Sequence, residues 1–537
     1  MTQEDALRKA APYQAAGRAQ DAIMILEAQL DGHRRTLGAE HPNTLASRYG
    51  LANAYQDAGR TQDAIEILEP LLADLDRILG AEHPNMLASR GNLANAYQAA
   101  GRTKDAIAIL EPLLAGRERI LGAEHPDTLA SRGNLANAYQ AAGRTDDAIA
   151  ILEPLLADHR RTLGAEHPNT LRTRNNLANA RQVAGRTKDA IEILEPLLAD
   201  RERILGVEHP NTLSTRGNLA NAYQDAGRTD DAIAIFEPLL ADLDRILGAE
   251  HPDTLASRGN LANAYQASGR TDDAIEILEA LLADLERILG AEHPDTVASR
   301  GNLANAYQAA GRTDDAIAIL EPLLADRERI LGAEHPDTLG SRNNLANAYL
   351  AAGRTDDAIV ILEPLLADRE RILGAQHRST LASRYNLASA YQAAERNDDA
   401  IAIFEPLVAD VTRILGADHA NTLNARNNLA NAYQDAGRTD DAIAVLEPLV
   451  ADLERILGAE HPNTLRTRNN LANGYQDAGR IDDAIAILEP LVADLERILG
   501  AEHPDTLGSR GNLANAYEAA GRTEDADGLG NRLGDWD

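Results

Sequence analysis

Histidine recurs at His41, His83, His125, His167, His209, His251, His293, His335, His377, His419, His461 and His503, forty-two residues apart each time, with no insertion or deletion. A unit copied with that fidelity constrains the fold more than any composition does, because every copy must adopt the same shape and dock on its neighbours. The unit reads, roughly, H-P-[ND]-T-L-A-S-R-x-N-L-A-N-A-Y-Q-x-A-G-R-T-D-D-A-I-A-I-L-E-P-L-L-A-D-x-E-R-I-L-G-A-E. Residues 1–40 form a partial first copy, since Tyr13 and Gly17 stand one period before Tyr55 and Gly59. Residues 41–502 hold eleven full copies, and 503–537 is a degenerate capping copy that dissolves after Thr523 into "EDADGLGNRLGDWD".

Each unit predicts two helices. The first starts near His-Pro-[Asn/Asp], where the amide or acid caps and proline suits the first turn. It stops at the glycine of "AGR", Gly59 and its copies, a natural left-handed terminator. The second starts with Thr61 as N-cap, carries acids in its first turn against the dipole, and ends at Gly80. Leu45, Leu51, Ala52 and Tyr55 give the first helix an apolar stripe. Ala64, Ile65, Leu68, Leu72, Leu75 and Leu79 give the second one another. Pro70 and its copies fall inside the second helix, where a kink is expected rather than a break, because the stripe continues in register. A lone unit cannot bury two stripes. About thirteen stacked units can, so the fold class is all-α, an α-solenoid.

At 537 residues the chain would ordinarily suggest three or four domains, but an array needs no such division. There is no cysteine, hence no disulfide, thiolate metal site or cysteine nucleophile. The opening "MTQEDALRKAAPYQ" lacks a signal-peptide core, and no apolar run approaches the ~20 residues of a membrane span. A soluble cytoplasmic protein is expected, and the preference for arginine over lysine suggests a GC-rich bacterial source. The net charge of −32 argues against nucleic acid and anionic membrane as partners. With two phenylalanines and one tryptophan, base stacking is also disfavoured.

Within each unit, "NLANAYQAAGRTDDAIAILEPLL" resembles the tetratricopeptide repeat, matching at Leu93, Ala94, Tyr97 and Ala106. The longer period and the "LGxEHPxT" junction are similar to the kinesin light chain subtype found in bacterial repeat arrays. The resemblance implies a right-handed superhelix whose first helices line a concave groove that holds peptides or partner proteins. It also implies a link to regulatory STAND-type ATPases, in which such arrays follow a nucleotide-binding switch domain.

In and just before "RGNLANAYQ" (90–98), Ala88, Gly91, Asn92, Asn95 and Gln98 share one helix face, apart from the apolar stripe. The two asparagines recur as Asn134 and Asn137, Asn176 and Asn179, Asn218 and Asn221, Asn260 and Asn263, Asn302 and Asn305, and Asn344 and Asn347. An amide donates and accepts, which suits the backbone of an extended chain, and glycine beside it leaves room for approach. The resemblance points to the same positions as peptide-holding asparagines. The alternative is structural, with the asparagines tying each first helix to its neighbour. Where the family's carboxylate-binding groove has lysines this chain has Gly91 and Ala88, or Tyr49, Asn175, Gly340 and Tyr385 in other copies, so recognition of a C-terminal carboxylate is not expected. Arg172 and Arg466 depart from the repeat and are candidate anion sites on the groove. Acids concentrate on the second helix, so the outer wall is expected to be acidic and the groove neutral or mildly positive. Arg90 and its copies are expected to form ion pairs with acids of neighbouring units.

The repeated His-Pro carries no second ligand at helical spacing, so no metal site is expected. There is no GxxxxGK[ST] and no asymmetric catalytic constellation, so neither a cofactor nor an enzyme is expected. The sequence points to a non-enzymatic scaffold that binds a protein or peptide in its groove, with no nucleic acid and no membrane as partner, and the chain itself is expected to be a monomer. Two rivals are a sensor arm whose ATPase is encoded elsewhere and an array that self-assembles end to end. The copy from His377 to Asp418 is the most divergent. There Glu395 replaces the terminating glycine, so its first helix is expected to end without a left-handed residue.

Overall fold

The computed structural model describes residues 19–530, which form 25 helices and no strand. Tyr13 and Gly17, and the final "NRLGDWD", lie outside the described residues. The chain divides into two compact units, one ending at Arg270 and the other starting at Thr271. Each is an α-solenoid of stacked helix pairs, for example Pro84–Ala99 with Thr103–Leu121 in the first and Pro336–Ala351 with Thr355–Leu373 in the second. Within each unit a helix packs mainly on the ones before and after it, and first helices of successive repeats also touch.

The helix ends correct the sequence-based expectation in two places. The first helix is capped by histidine: Nδ1 of His41 accepts from the Asn43 N–H at 3.2 Å, and His83 does the same for Asn85. Proline at the first helical position has no N–H, so the next N–H is the donor a cap must reach, and the residue before proline supplies the acceptor. The second helix begins at Thr61 itself, with Arg60 at the N-cap position and no side-chain cap. Instead, Nε of Arg60 donates to Asp63 at 2.7 Å across the first turn.

Gly59 ends the first helix at φ 70°, and the Arg60 N–H reaches back to the Tyr55 carbonyl at 2.8 Å in a Schellman closure. Glu395 does likewise. It is the one described non-glycine residue with positive φ, at 58°, so the divergent copy keeps the left-handed terminator despite its sequence. The second helices run unbroken through Pro70 and its copies.

Ala64, Ile65, Leu68, Leu71 and Leu75 form the buried stripe of the second helix. Leu71 belongs to it, whereas Leu72 is half-buried and Leu79 is 37% exposed. The stripe drifts as the 3.6-residue turn advances, leaving the last turn outside the core. Polar bonds then stitch the repeats. Tyr97 donates to Glu69 of the preceding repeat at 2.7 Å while the Arg102 guanidinium lies 4.2 Å from its ring centroid. Burial, then the bond to Glu69, pushes the Tyr97 phenol up to about 12. Where the tyrosine is replaced by Arg181, an ion pair with Glu153 at 2.9 Å takes over the same joint.

The arginine expected to make ion pairs does so in most copies. Arg132 bridges Glu118 of the preceding second helix and Asp158 of its own, both at 2.8 Å. Arg90 departs from this. Its copies find an aspartate where it has Gly116, and it forms no ion pair among the described residues.

Candidate functional site

The asparagines sit on the first helices, the earlier of each pair half-buried and the later half-buried or exposed. They bond to one another across the repeat joints. Nδ2 of Asn92 donates to Oδ1 of Asn53 at 2.6 Å, Asn134 to Asn95 at 3.3 Å, and Asn176 to Asn137 at 3.0 Å. Asn218 turns instead to Asn175 at 3.3 Å. In the second unit Asn386 reaches both Asn343 and Asn347 at 3.1 Å. Glutamines add a second strand of bonds, Gln98 donating to the main-chain carbonyl of Asn134 at 3.2 Å and Gln308 to that of Asn344 at 3.4 Å. Asn179, Asn221, Asn260, Asn263, Asn302 and Asn305 make no side-chain hydrogen bond among the described residues.

This amide ladder uses one donor of the earlier asparagine and one acceptor of the later. A carboxamide offers two N–H groups and a carbonyl with two lone pairs. Each rung therefore keeps the carbonyl of one amide and the NH₂ of the other unspent. Glycine at the neighbouring position is not forced by contact, since a Cβ on Gly91 would meet Leu113 at 3.8 Å and one on Gly301 would meet nothing. The same position holds asparagine or tyrosine elsewhere.

Arg172 and Arg466 are both exposed. Neither has a carboxylate partner among the described residues, and Nη2 of Arg466 donates only to Oδ1 of Asn463, at 3.3 Å. Arg172 borders a cleft of about 260 Å³ with Asn134, Asn137, Asn176, His159 and the acid Glu124. Burial, followed by the charge of Arg172, holds the His159 imidazole below its ordinary range.

Arg466 borders three clefts in the second unit. One of about 420 Å³ is lined by Tyr385, Asn424, Asn427, Asn428, Asn431, Arg466 and Asn470. Another of about 540 Å³ has Arg466 and Asn469 against Leu495, Ile498 and Leu499. The third, of about 100 Å³, has Arg466 and Asn424 against Leu453 and Leu457. A further cleft, of about 610 Å³, has Tyr385 and Asn424 against Val411, Ile414 and Leu415. The isoleucine–leucine pairs belong to the last turn of the second helices, and Ile498 and Leu499 are 38% and 40% exposed.

Sequence reasoning overlooked Asn424 and Asn427, whose signal was present as departures from alanine and glycine. It also overlooked a charge in the core. Arg201 stands where Leu75 and Leu243 are buried in their copies, and is 5% exposed. It donates to the Asn211 carbonyl at 2.8 Å and to the Thr215 hydroxyl, with no carboxylate partner among the described residues and with its Nε unpartnered there. Burial, then repulsion from Arg174, lowers its proton affinity. No group of three or more His, Asp or Glu converges among the described residues, and no described helix is long and apolar enough to cross a membrane.

Stacked helix–turn–helix pairs with a Tyr–Gly joint and amide-bearing first helices define an α-solenoid of helical repeats. The chain belongs to the tetratricopeptide repeat family, whose profile matches residues 3–76, 55–118, 85–154, 133–199, 172–242, 215–287, 253–329, 295–371, 341–409, 379–447 and 464–533. Repeats of this family generally mediate protein–protein interaction. Among solved structures, a Podosopora anserina protein of nearly identical TPR-like repeats, described as a kinesin light chain, is 40% identical. The alignment covers 37% of this chain and 95% of that one, with a TM-score of 0.35. A variant of that protein with one glutamine replaced by methionine is 39% identical over 38% and 98% of the two chains, also at 0.35. BtubC (BKLC) from P. vanneervenii is 21% identical over 43% and 92%, at 0.38. Comparison with curated proteins finds no match.

Proposed function

We propose that this chain is a non-enzymatic scaffold that holds an extended polypeptide along the face of its first helices. The supporting observation is the unspent hydrogen-bonding capacity of the amide ladder. Where a rung forms it leaves a carbonyl and an NH₂ free, the complement of a peptide backbone. Half-exposed isoleucine and leucine side chains border the same clefts and supply apolar contact for side chains.

Asn179, Asn221 and Asn305 changed together to alanine test this, because none has a described side-chain bond to lose. Alanine is the better helix former, so the thermal melt should hold or rise. Proteins retained from source lysate by the wild type and by the triple variant are then compared by quantitative mass spectrometry. Loss of the principal partner with an unchanged melt supports the groove. A lowered melt with the partner retained means that these amides are structural and that the ligand sits elsewhere.

A further inference from the structure

In a chain of near-identical copies, local departures carry information. On the face of the first helices, two register positions hold alanine and glycine, respectively, in half of the copies, as at Ala88 and Gly91. Along 378–477 these positions become Tyr385, Asn424, Asn427, Arg466 and Asn469. Four of the five line one cleft.

The bonds inside that cleft decide which groups remain free. Asn428 donates to the Tyr385 hydroxyl oxygen at 2.7 Å, so the phenolic proton is left to donate. Asn470 donates to the carbonyls of Asn431 at 3.0 Å and Asn427 at 3.5 Å, so these two residues keep their amide N–H groups. Arg466 adds a guanidinium with no carboxylate partner among the described residues. The cleft thus offers free N–H and O–H donors, one group a full positive charge, beside the unspent carbonyls of Asn428 and Asn470; no carboxylate lines it, whereas Asp418, Glu460 and Asp505 line the two other clefts that Arg466 borders. Such a donor set stabilises a single negative oxygen group. Tyr385 is shared with the aliphatic cleft at Val411 and Leu415, and Arg466 with the one at Leu495 and Leu499.

We infer that residues 378–512 bind an internal acidic side chain of an extended segment, its carboxylate at Arg466 and Tyr385, with aliphatic side chains on either side entering the flanking clefts. This rests on the scaffold function proposed above and adds the chemistry of the bound segment. One arginine balances one carboxylate, and the array's strong negative charge opposes a more highly charged group.

The test uses the full chain and short peptides, acetylated and amidated so that no terminal charge remains. Each carries a leucine, one aspartate and a second leucine at varied spacings on an Ala–Ser background, with a matched set bearing asparagine for aspartate. By fluorescence anisotropy at low salt, the best aspartate peptide should bind about tenfold tighter than its asparagine counterpart, the scale of one charge-assisted hydrogen bond. The preference should vanish in Arg466→Gln, persist in part in Arg466→Lys, and survive in Arg371→Gln, an exposed arginine paired elsewhere with Glu334. Matched circular-dichroism melts show that each variant is folded. Should Arg466→Gln fail to fold, the aspartate–asparagine comparison on the wild type and on Arg466→Lys still decides. Equal binding of the two peptide sets, a preference that persists in Arg466→Gln, or binding only to peptides with a free C-terminal carboxylate overturns the inference. If both sets bind equally and the asparagine variants weaken both, the acidic subsite fails and the scaffold reading stands. If neither set binds, both fall.

Discussion

Replacing Glu395 by glycine should strengthen the repeat that contains it. Glu395 sits at φ 58°, whereas the equivalent Gly353 sits at 72° in the same structural role. The hydrogen bonds at the two sites match: the following N–H closes on a tyrosine carbonyl at 2.8 Å in both, Arg396 on Tyr391 and Arg354 on Tyr349. The Glu395 side chain is exposed and makes no described hydrogen bond, so its removal loses no contact. What remains is backbone sterics. A left-handed residue with a Cβ costs about 1–2 kcal/mol, against which glycine brings about 0.5–1 kcal/mol of extra unfolded-state entropy. The net gain is about 0.5–1 kcal/mol. In a quasi-one-dimensional array this appears locally, so the assay is native-state hydrogen exchange of Arg378–Ala393 and Asn397–Leu415. Protection there should rise about two- to fivefold, while segments of the first unit stay unchanged. Gly353→Ala is the reciprocal control and should lose about 1 kcal/mol. A Glu395→Gly chain with unchanged or lower protection, alongside a Gly353→Ala chain that does lose it, would refute the steric account.

Pro364→Ala should stabilise the helix Thr355–Leu373 by up to about 3 kcal/mol, since proline removes a main-chain hydrogen bond and the exposed ring leaves no cavity; denaturant unfolding measures it, and Ala280 in the equivalent place is a natural precedent. Arg201→Leu should be neutral or stabilising, because the guanidinium is buried without a carboxylate and Leu243 fills the same place elsewhere. Arg201→Ala should instead cost about 2–4 kcal/mol through the void it leaves, so equal melts for the two variants would contradict this. Tyr97, Tyr433 and Tyr475 are held protonated up to about 12, above the value of about 10 for an unfolded tyrosine. Their folded pKa values are the higher, so their contribution is complete below pH 10 and drains away between about 10 and 12. Tyrosinate absorbance should therefore rise together with loss of helicity, and Tyr97→Phe should flatten the decline.

The period, the two helices per repeat and the glycine stops were legible because each is local: spacing sets the period, and left-handed geometry picks out Gly59. The caps were less so. His41 and Asn43 both carry plausible acceptors, and only the path of the chain around Pro42 decides between them. Leu71 and Leu72 differ by one position on a drifting stripe, and which one enters the core depends on how the next repeat docks. Arg201 was invisible for a related reason, since its nearest partners, the Asn211 carbonyl and Thr215, belong to the following repeat, and only the longer contacts to Asn175 and Leu171 lie within its own. The asparagine face was readable from three- and four-residue spacing. That Asn92 bonds to Asn53, and that Tyr385, Asn424 and Arg466 meet in one cleft, follow from stacking rather than from any one helix.

The rungs of the amide ladder join residues 39 or 43 apart, about one repeat. Such short reach makes the array a structure of low contact order, in which closing each joint needs only the repeat already folded and the one arriving next. During synthesis the growing chain can therefore zip up behind the ribosome, with no strand waiting for a distant partner. The same reach lets recombination between copies add or delete a whole period while every surviving rung keeps its partner. The number of repeats is thus a quantity that selection can adjust by duplication alone.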